Sequence, residues 1–208
     1  ESPSPIPVIE LTGTWVLGPD ATSIPPSPIA RGLQPSGLVF RKGELWAVGD
    51  QRSQFPGHLI RIDPRTARSI GKPLRLQVPE GREGEGEDFE AYKAIPNSDF
   101  EGLCLHPGDP DILFAVTEDK IPWIVEIHVS SGDPAKATPE KAVIARLTRI
   151  QFPTDLSSWR GDSNFRFEGC AVSDDSKLMY LAFERAQDDL PRIYTLPLDA
   201  ARSGRSMH

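Results

Sequence analysis

The sequence predicts an all-β fold, a β-propeller of four-stranded antiparallel blades, and three observations carry that reading. First, a two-strand unit recurs three times: Ser36-Gly37-Leu38-Val39-Phe40 with Leu45 to Asp50, Asp99-Phe100-Glu101-Gly102-Leu103 with Ile112 to Asp119, and Phe167-Glu168-Gly169-Cys170 with Leu178 to Glu184. Its glycines stand 65 and 67 residues apart, a period suited to radially repeated sheets. Second, each unit is followed by a third strand, at His58 to Asp63, Trp123 to Val129 and Arg192 to Leu198, while no segment has convincing helical periodicity. Third, 21 prolines and 17 glycines in 208 residues suit a fold rich in turns.

In chain order, residues 1–7 form a proline-rich arm, and Val8 to Leu17 reads as a strand interrupted by Gly13. A proline-rich loop leads to a first blade over 36–78, whose outermost strand, Ile70 to Val78, tolerates Pro73 as an edge strand does. The Glu/Gly run from Glu80 to Glu90 reads as a solvated loop, or as a flexible arm lending carboxylates to a cation site. A second blade covers 99–148, with Ala142 to Thr148 as its fourth strand. The loop after it carries Arg160-Gly161-Asp162, a tripeptide too short to signify adhesion. A third blade spans 167–198, and 201–208 is a tail. The propeller domain is thus expected over 8–200, with Val8 to Leu17 completing the third blade. Three blades are too few to close a ring, since propellers use four to eight. The expectation is half of a six-bladed ring completed by a second copy, or part of a longer propeller.

A net charge of −7 and a pI near 5.2 argue against nucleic acid or an anionic membrane as the main partner. No stretch approaches the roughly 20 apolar residues of a membrane span. Cys104 and Cys170 sit one step out of register in the repeat, so they should point to opposite sides of their strands, as buried thiols rather than a disulfide.

The chemistry is expected at one end of the blades. Glu101 opens one strand and Glu118 closes its neighbour, so antiparallel pairing sets them roughly 5 Å apart. The same topology brings Asp50, Glu168 and Glu184 to that face, with Asp99 and Asp119 beside them, under the long interblade loops. Clustered carboxylates raise one another's pKa unless cations neutralise them, and their hard oxygens suit Ca²⁺ or Mg²⁺. A basic residue follows three of the acids closely, Arg52, Lys120 and Arg185, so internal salt bridges and direct acid/base chemistry stand beside metal binding as readings. No nucleophile elbow, Cys-x-x-Cys, phosphate loop or His-Glu-x-x-His occurs, and none of the four histidines has a triad partner in the sequence.

Taken together, Ser36 to Leu38, Leu45 to Asp50, Asp99 to Leu103, Phe167 to Gly169 and Ser173 to Glu184 resemble the phytase-like, or "esterase-like activity of phytase", β-propeller family across residues 34–198. The resemblance implies a secreted or periplasmic propeller with a cation near its channel and hydrolysis of phosphate or carboxyl esters. On that reading Ca²⁺ sits among Asp50, Glu101, Glu118, Glu168 and Glu184, and Arg52, Lys120 and Arg185 hold an anionic substrate; no catalytic residue is assigned. Ser36 departs from the pattern, standing where a carboxylate is expected. The alternative is a non-catalytic propeller that binds a ligand or protein through its loops.

Overall fold

Alternating apolar residues on the second repeat explain the architecture: Leu113 and Ala115 face one way along their strand, Phe114 and Val116 the other, and all four are buried. A sheet apolar on both faces must lie between two others. The computed structural model describes residues 35–66, 68–79, 86–119, 121–130, 132, 140–150, 167–184 and 191–202. It contains three meanders in succession. The first is β1 (Pro35–Arg41), β2 (Glu44–Gly49), β3 (His58–Ile62) and β4 (Leu74–Gln77). The second is β5 (Phe100–His106), β6 (Asp109–Thr117), β7 (Trp123–Ser130) and β8 (Lys141–Arg149), and the third is β9 (Phe167–Val172), β10 (Leu178–Phe183) and β11 (Arg192–Pro197). The strand expected at Val8 to Leu17 lies outside the described residues.

Two cores flank the middle blade. Between the first and second blades pack Trp46, Val48, Leu59, Leu76, Leu103, Leu113, Val125, Ile127 and Ile144. Between the second and third pack Cys104, Phe114, Val116, Ile124, Phe167, Met179, Leu181 and Phe183. Phe167, Phe183 and Tyr194 stack edge to face there, with ring centroids 5.2 to 6.3 Å apart.

The leading strands β1, β5 and β9 lie side by side, and the repeated glycine is what lets them. A Cβ on Gly102 would stand 2.7 Å from the Cα of Gly169 and 2.8 Å from the nitrogen of Cys170, and one on Gly37 would collide with the backbone of Leu103. Each leading strand also carries a one-residue bulge just before its glycine. Pro35 pairs with Gly49 and Gly37 with Val48; Phe100 pairs with Thr117 and Gly102 with Val116; Phe167 pairs with Phe183 and Gly169 with Ala182. Ser36, Glu101 and Glu168 are thus left without a ladder partner, as bulges leave a residue to be aimed elsewhere.

Three expectations need correction. The chain does contain helix: Gly86–Ala94 forms α1, continued by a 3₁₀ turn over Ile95–Asn97. The part of the Glu/Gly run expected as loop runs into good helix formers, Glu90, Ala91, Lys93 and Ala94. Tyr92 and Ile95 anchor it in the first core, and the Tyr92 hydroxyl accepts a hydrogen bond from the Leu147 N–H at 3.2 Å. Next, the fourth strand of the first blade is only Leu74–Gln77. Finally, the first two blades are joined at their outer edges: β4 pairs in parallel with β8, Leu76 opposite Ala142 and Gln77 opposite Val143. The result is a nearly closed, barrel-like sheet in the order β1-β2-β3-β4-β8-β7-β6-β5, in which two outer edges satisfy each other's unpaired backbone groups.

The cysteines do point to opposite strand faces, and this is why they meet. The forward face of one blade packs on the backward face of the next, so the buried Cys104 and half-buried Cys170 share the second core, and a hydrogen bond with Cys104 together with burial pushes the Cys170 thiol up. A short helix α2 (Leu198–Ala201) closes that core. It is tied to β7 by Arg202, which donates two hydrogen bonds, of 3.0 and 3.1 Å, to the buried Glu126 carboxylate.

Gly102→Ala should therefore cost about 3 kcal/mol in urea unfolding, the scale of overpacking against unyielding backbone. Asp174→Ala, in an exposed turn, should change stability by less than about 0.5 kcal/mol.

Candidate metal centre

Where the three leading strands come together, the bulges and the ends of the second strands form one pocket. Its volume is about 300 Å³, and it is lined by Asp50, Arg52, Asp99, Glu101, Glu118, Glu168 and Glu184. Glu101 and Glu168 are bulge residues; Asp50, Glu118 and Glu184 directly follow β2, β6 and β10. The structure thus brings all five acids expected at this end to one place, together with Arg52. Lys120 and Arg185 lie outside the described residues. Asp99, expected only beside the group, lines the pocket, whereas Asp119 holds the Asp99 N–H at 3.5 Å and lines a separate apolar cleft beneath α1.

Local hydrogen bonds position these carboxylates. The backbone N–H of Arg52 caps Asp50 at 2.6 Å, closing the turn after β2. Gln51 donates its side-chain amide to Asp99 at 2.5 Å, and the Glu118 N–H bonds the Asp99 carbonyl at 2.8 Å. The segments before β5 and after β6 are thereby fastened to the turn that follows β2.

The electrostatics are those of a crowded acid group. Burial, and then the charges of Glu168, Asp99, Glu118 and Asp50, push the Glu101 carboxyl up to about 8. Burial and a hydrogen bond with Asp50 raise Asp99, against the opposing pull of Gln51. Burial raises Glu168 too, with Glu184 and Asp99 adding to it. Without a cation the cluster therefore retains protons that isolated carboxyls release.

These donors fit a hard divalent cation. Asp99, Glu101 and Glu118 each offer an oxygen, all within 4.8 Å of one another. Oxygens bound to one Ca²⁺ at about 2.3–2.6 Å lie no more than about 5 Å apart, so the spacing matches a shared shell. Asp50, Glu168 and Glu184 line the same pocket as further acidic neighbours.

Comparison with known proteins gives the family of the chain. Residues 31–206 match the phytase-like family described as "esterase-like activity of phytase". The chain belongs to this family. No curated protein matches the phytase-like chain in sequence. Among solved structures, the Dos1 propeller is similar with a TM-score of 0.34 and 10% identity, over 75% of this chain and 28% of that one. The GH74 enzyme of Niastella koreensis is similar with a TM-score of 0.29 and 12% identity, over 83% of this chain and 37% of that one. The phytase-like chain thus spans about a third of the length of these two structures.

Sequence reasoning missed the bulges and the role of Gln51. The acid-glycine pair at 101–102 and 168–169 was the available sign, since it marks a bulged residue followed by a close backbone contact.

A pH dependence follows. A carboxyl whose folded pKa lies near 8 and whose ordinary value is 4.5 keeps its proton in the folded state while the unfolded chain has lost it. Stability measured in chelator should therefore fall as pH rises from about 4.5 to about 8. Glu101→Gln should flatten that slope, and Ca²⁺ should restore stability at pH 8. A thermal melting series with EDTA and with Ca²⁺ checks all three.

Proposed function

We propose that the chain is a divalent-cation-dependent hydrolase of phosphate or carboxyl esters, working at the acidic face. The observation that carries this reading is the convergence, among the described residues, of six carboxylates and the guanidinium of Arg52 on one pocket in a phytase-like chain. Asp99, Glu101 and Glu118 would hold the cation, Ca²⁺ by preference, with Asp50, Glu168 and Glu184 completing or neutralising its surroundings. When bound, Ca²⁺ supplies Lewis acidity toward a phosphoryl or carbonyl oxygen and lowers the pKa of a coordinated water.

The chain's own groups supply the rest. Arg52, whose backbone N–H already fixes Asp50, offers its guanidinium to an anionic substrate oxygen, and Lys120 and Arg185 extend that positive charge in the same reading. Gln51 orients Asp99, and the Glu118 N–H fixes its backbone, so the oxygens are held before any ligand arrives. A secreted or periplasmic setting belongs to the proposal and is supported by the family alone. No helix among the described residues is long and apolar enough to cross a membrane.

The test is hydrolysis of an aryl phosphate and an aryl carboxyl ester with Ca²⁺ and with EDTA. Turnover of at least one ester should require Ca²⁺. Glu101→Gln should weaken Ca²⁺ binding or activity by about 10- to 100-fold or more, with the fold retained. Calorimetric Ca²⁺ binding without turnover of either ester would favour a binding module over an enzyme.

A further inference from the structure

The sequence contains two cysteines, and the fold sets them against each other. Cys104 is the second residue after the glycine of the second blade, and Cys170 is the first after the glycine of the third. Side chains alternate along a strand, so the first and second residues after a glycine face opposite ways. Leading strands that stack blade on blade therefore oppose the second residue of one to the first residue of the next. At the first interface that position holds Val39 and Leu103, an ordinary apolar pair in the first core. At the second interface it holds Cys104 and Cys170. We propose that these two residues are a redox site, in which oxidation joins their sulfurs in a disulfide that staples the leading strand of the second blade to that of the third.

Three observations place the sulfurs together. The two interfaces share one register, since a Cβ on Gly37 would meet the Leu103 nitrogen and one on Gly102 would stand 2.8 Å from the Cys170 nitrogen. The backbones of β5 and β9 thus touch directly beside the two cysteines. Next, the Cys170 Sγ donates a hydrogen bond to the Phe114 carbonyl at 3.6 Å, and Phe114 is the ladder partner of Cys104. Last, the two thiols hydrogen-bond each other. Such a bond leaves the sulfurs a few ångströms apart, and side-chain torsion between strands already in contact closes the rest of the way to a bond of about 2.05 Å.

The oxidant is a low-molecular-weight disulfide. One cysteine gives up its proton and attacks a sulfur of that reagent as the thiolate, expelling one small thiolate and leaving a mixed disulfide on the chain. The second cysteine, deprotonated in turn, attacks the cysteine sulfur of the mixed disulfide and expels the other small thiolate. Two electrons pass from the cysteines to the reagent, and the two cysteine protons end on two small thiols. The hydrogen bond with Cys104, and then burial, keep the Cys170 thiol protonated well beyond its ordinary range. The folded pair is therefore slow to react, and the bond forms mainly as the chain folds. Cys104 and Cys170 lie 66 residues apart, so closing the bond removes much of the freedom of the unfolded chain.

The experiment is refolding of the whole chain from urea in a buffer of reduced and oxidised glutathione, followed by thiol titration and by mass mapping of proteolytic fragments without reductant. The refolded chain should have no titratable thiol, and the fragment carrying Cys104 should be joined to the one carrying Cys170 within a single chain. Its melting temperature should stand about 5 to 15 °C above that of the chain refolded in reductant. Cys104→Ala and Cys170→Ala, refolded in the same two ways, should show no such rise, which separates the bond from any general effect of the oxidant. Two free thiols after refolding overturn the proposal. So do glutathione left on both cysteines, a bond found only between chains, a melting temperature that the bond lowers, or a rise that the Ala variants share. None of these outcomes depends on ester hydrolysis or on Ca²⁺.

Discussion

The structure depends on how closely the leading strands of successive blades approach. Backbone meets backbone at Gly37 and at Gly102, where there is no space for a methyl group. Interiors at crystal-like density do not yield to such an addition, so the glycine fixes the spacing of the blades. The residue just before it takes up the mismatch as a bulge, leaves the ladder and becomes available for other work. One backbone device thus sets both the packing of the sheets and the position of Glu101 and Glu168.

Crowding is the electrostatic consequence. Strands that converge this tightly bring their ends together, and the ends carry Asp50, Glu118 and Glu184. Burial and mutual repulsion then hold protons on Glu101, Asp99 and Glu168, protons that a divalent cation bound there would displace. Other charged side chains in the same molecule are matched instead: Glu126 with Arg202, and Arg41, whose guanidinium lies over the ring of Trp46, with Asp111. The contrast separates ion pairs from a crowd of like charges.

Much of this was legible in the sequence because the repeat carries its own register. The glycine period located the three hairpins, and the two-residue alternation located the faces. The acids at the strand ends came together because antiparallel pairing dictates which ends meet. What stayed hidden depends on neighbours that sequence does not name. The helix over Gly86–Ala94 is held by Tyr92 and Ile95 entering a core built by other blades, and its acidic approach reads as loop. The parallel pairing of β4 with β8 joins edges of different blades, which no local pattern encodes. Asp99 joins the pocket because Gln51 and the Glu118 N–H hold it there, contacts that span 48 and 19 residues of chain.

The most direct measurement is an anomalous difference map from crystals of the chain grown with Ca²⁺. The account requires a single strong peak about 2.3–2.6 Å from oxygens of Asp99, Glu101 and Glu118. A map with no peak in that pocket at saturating Ca²⁺, or one with these three carboxylates turned away from one another, would contradict it.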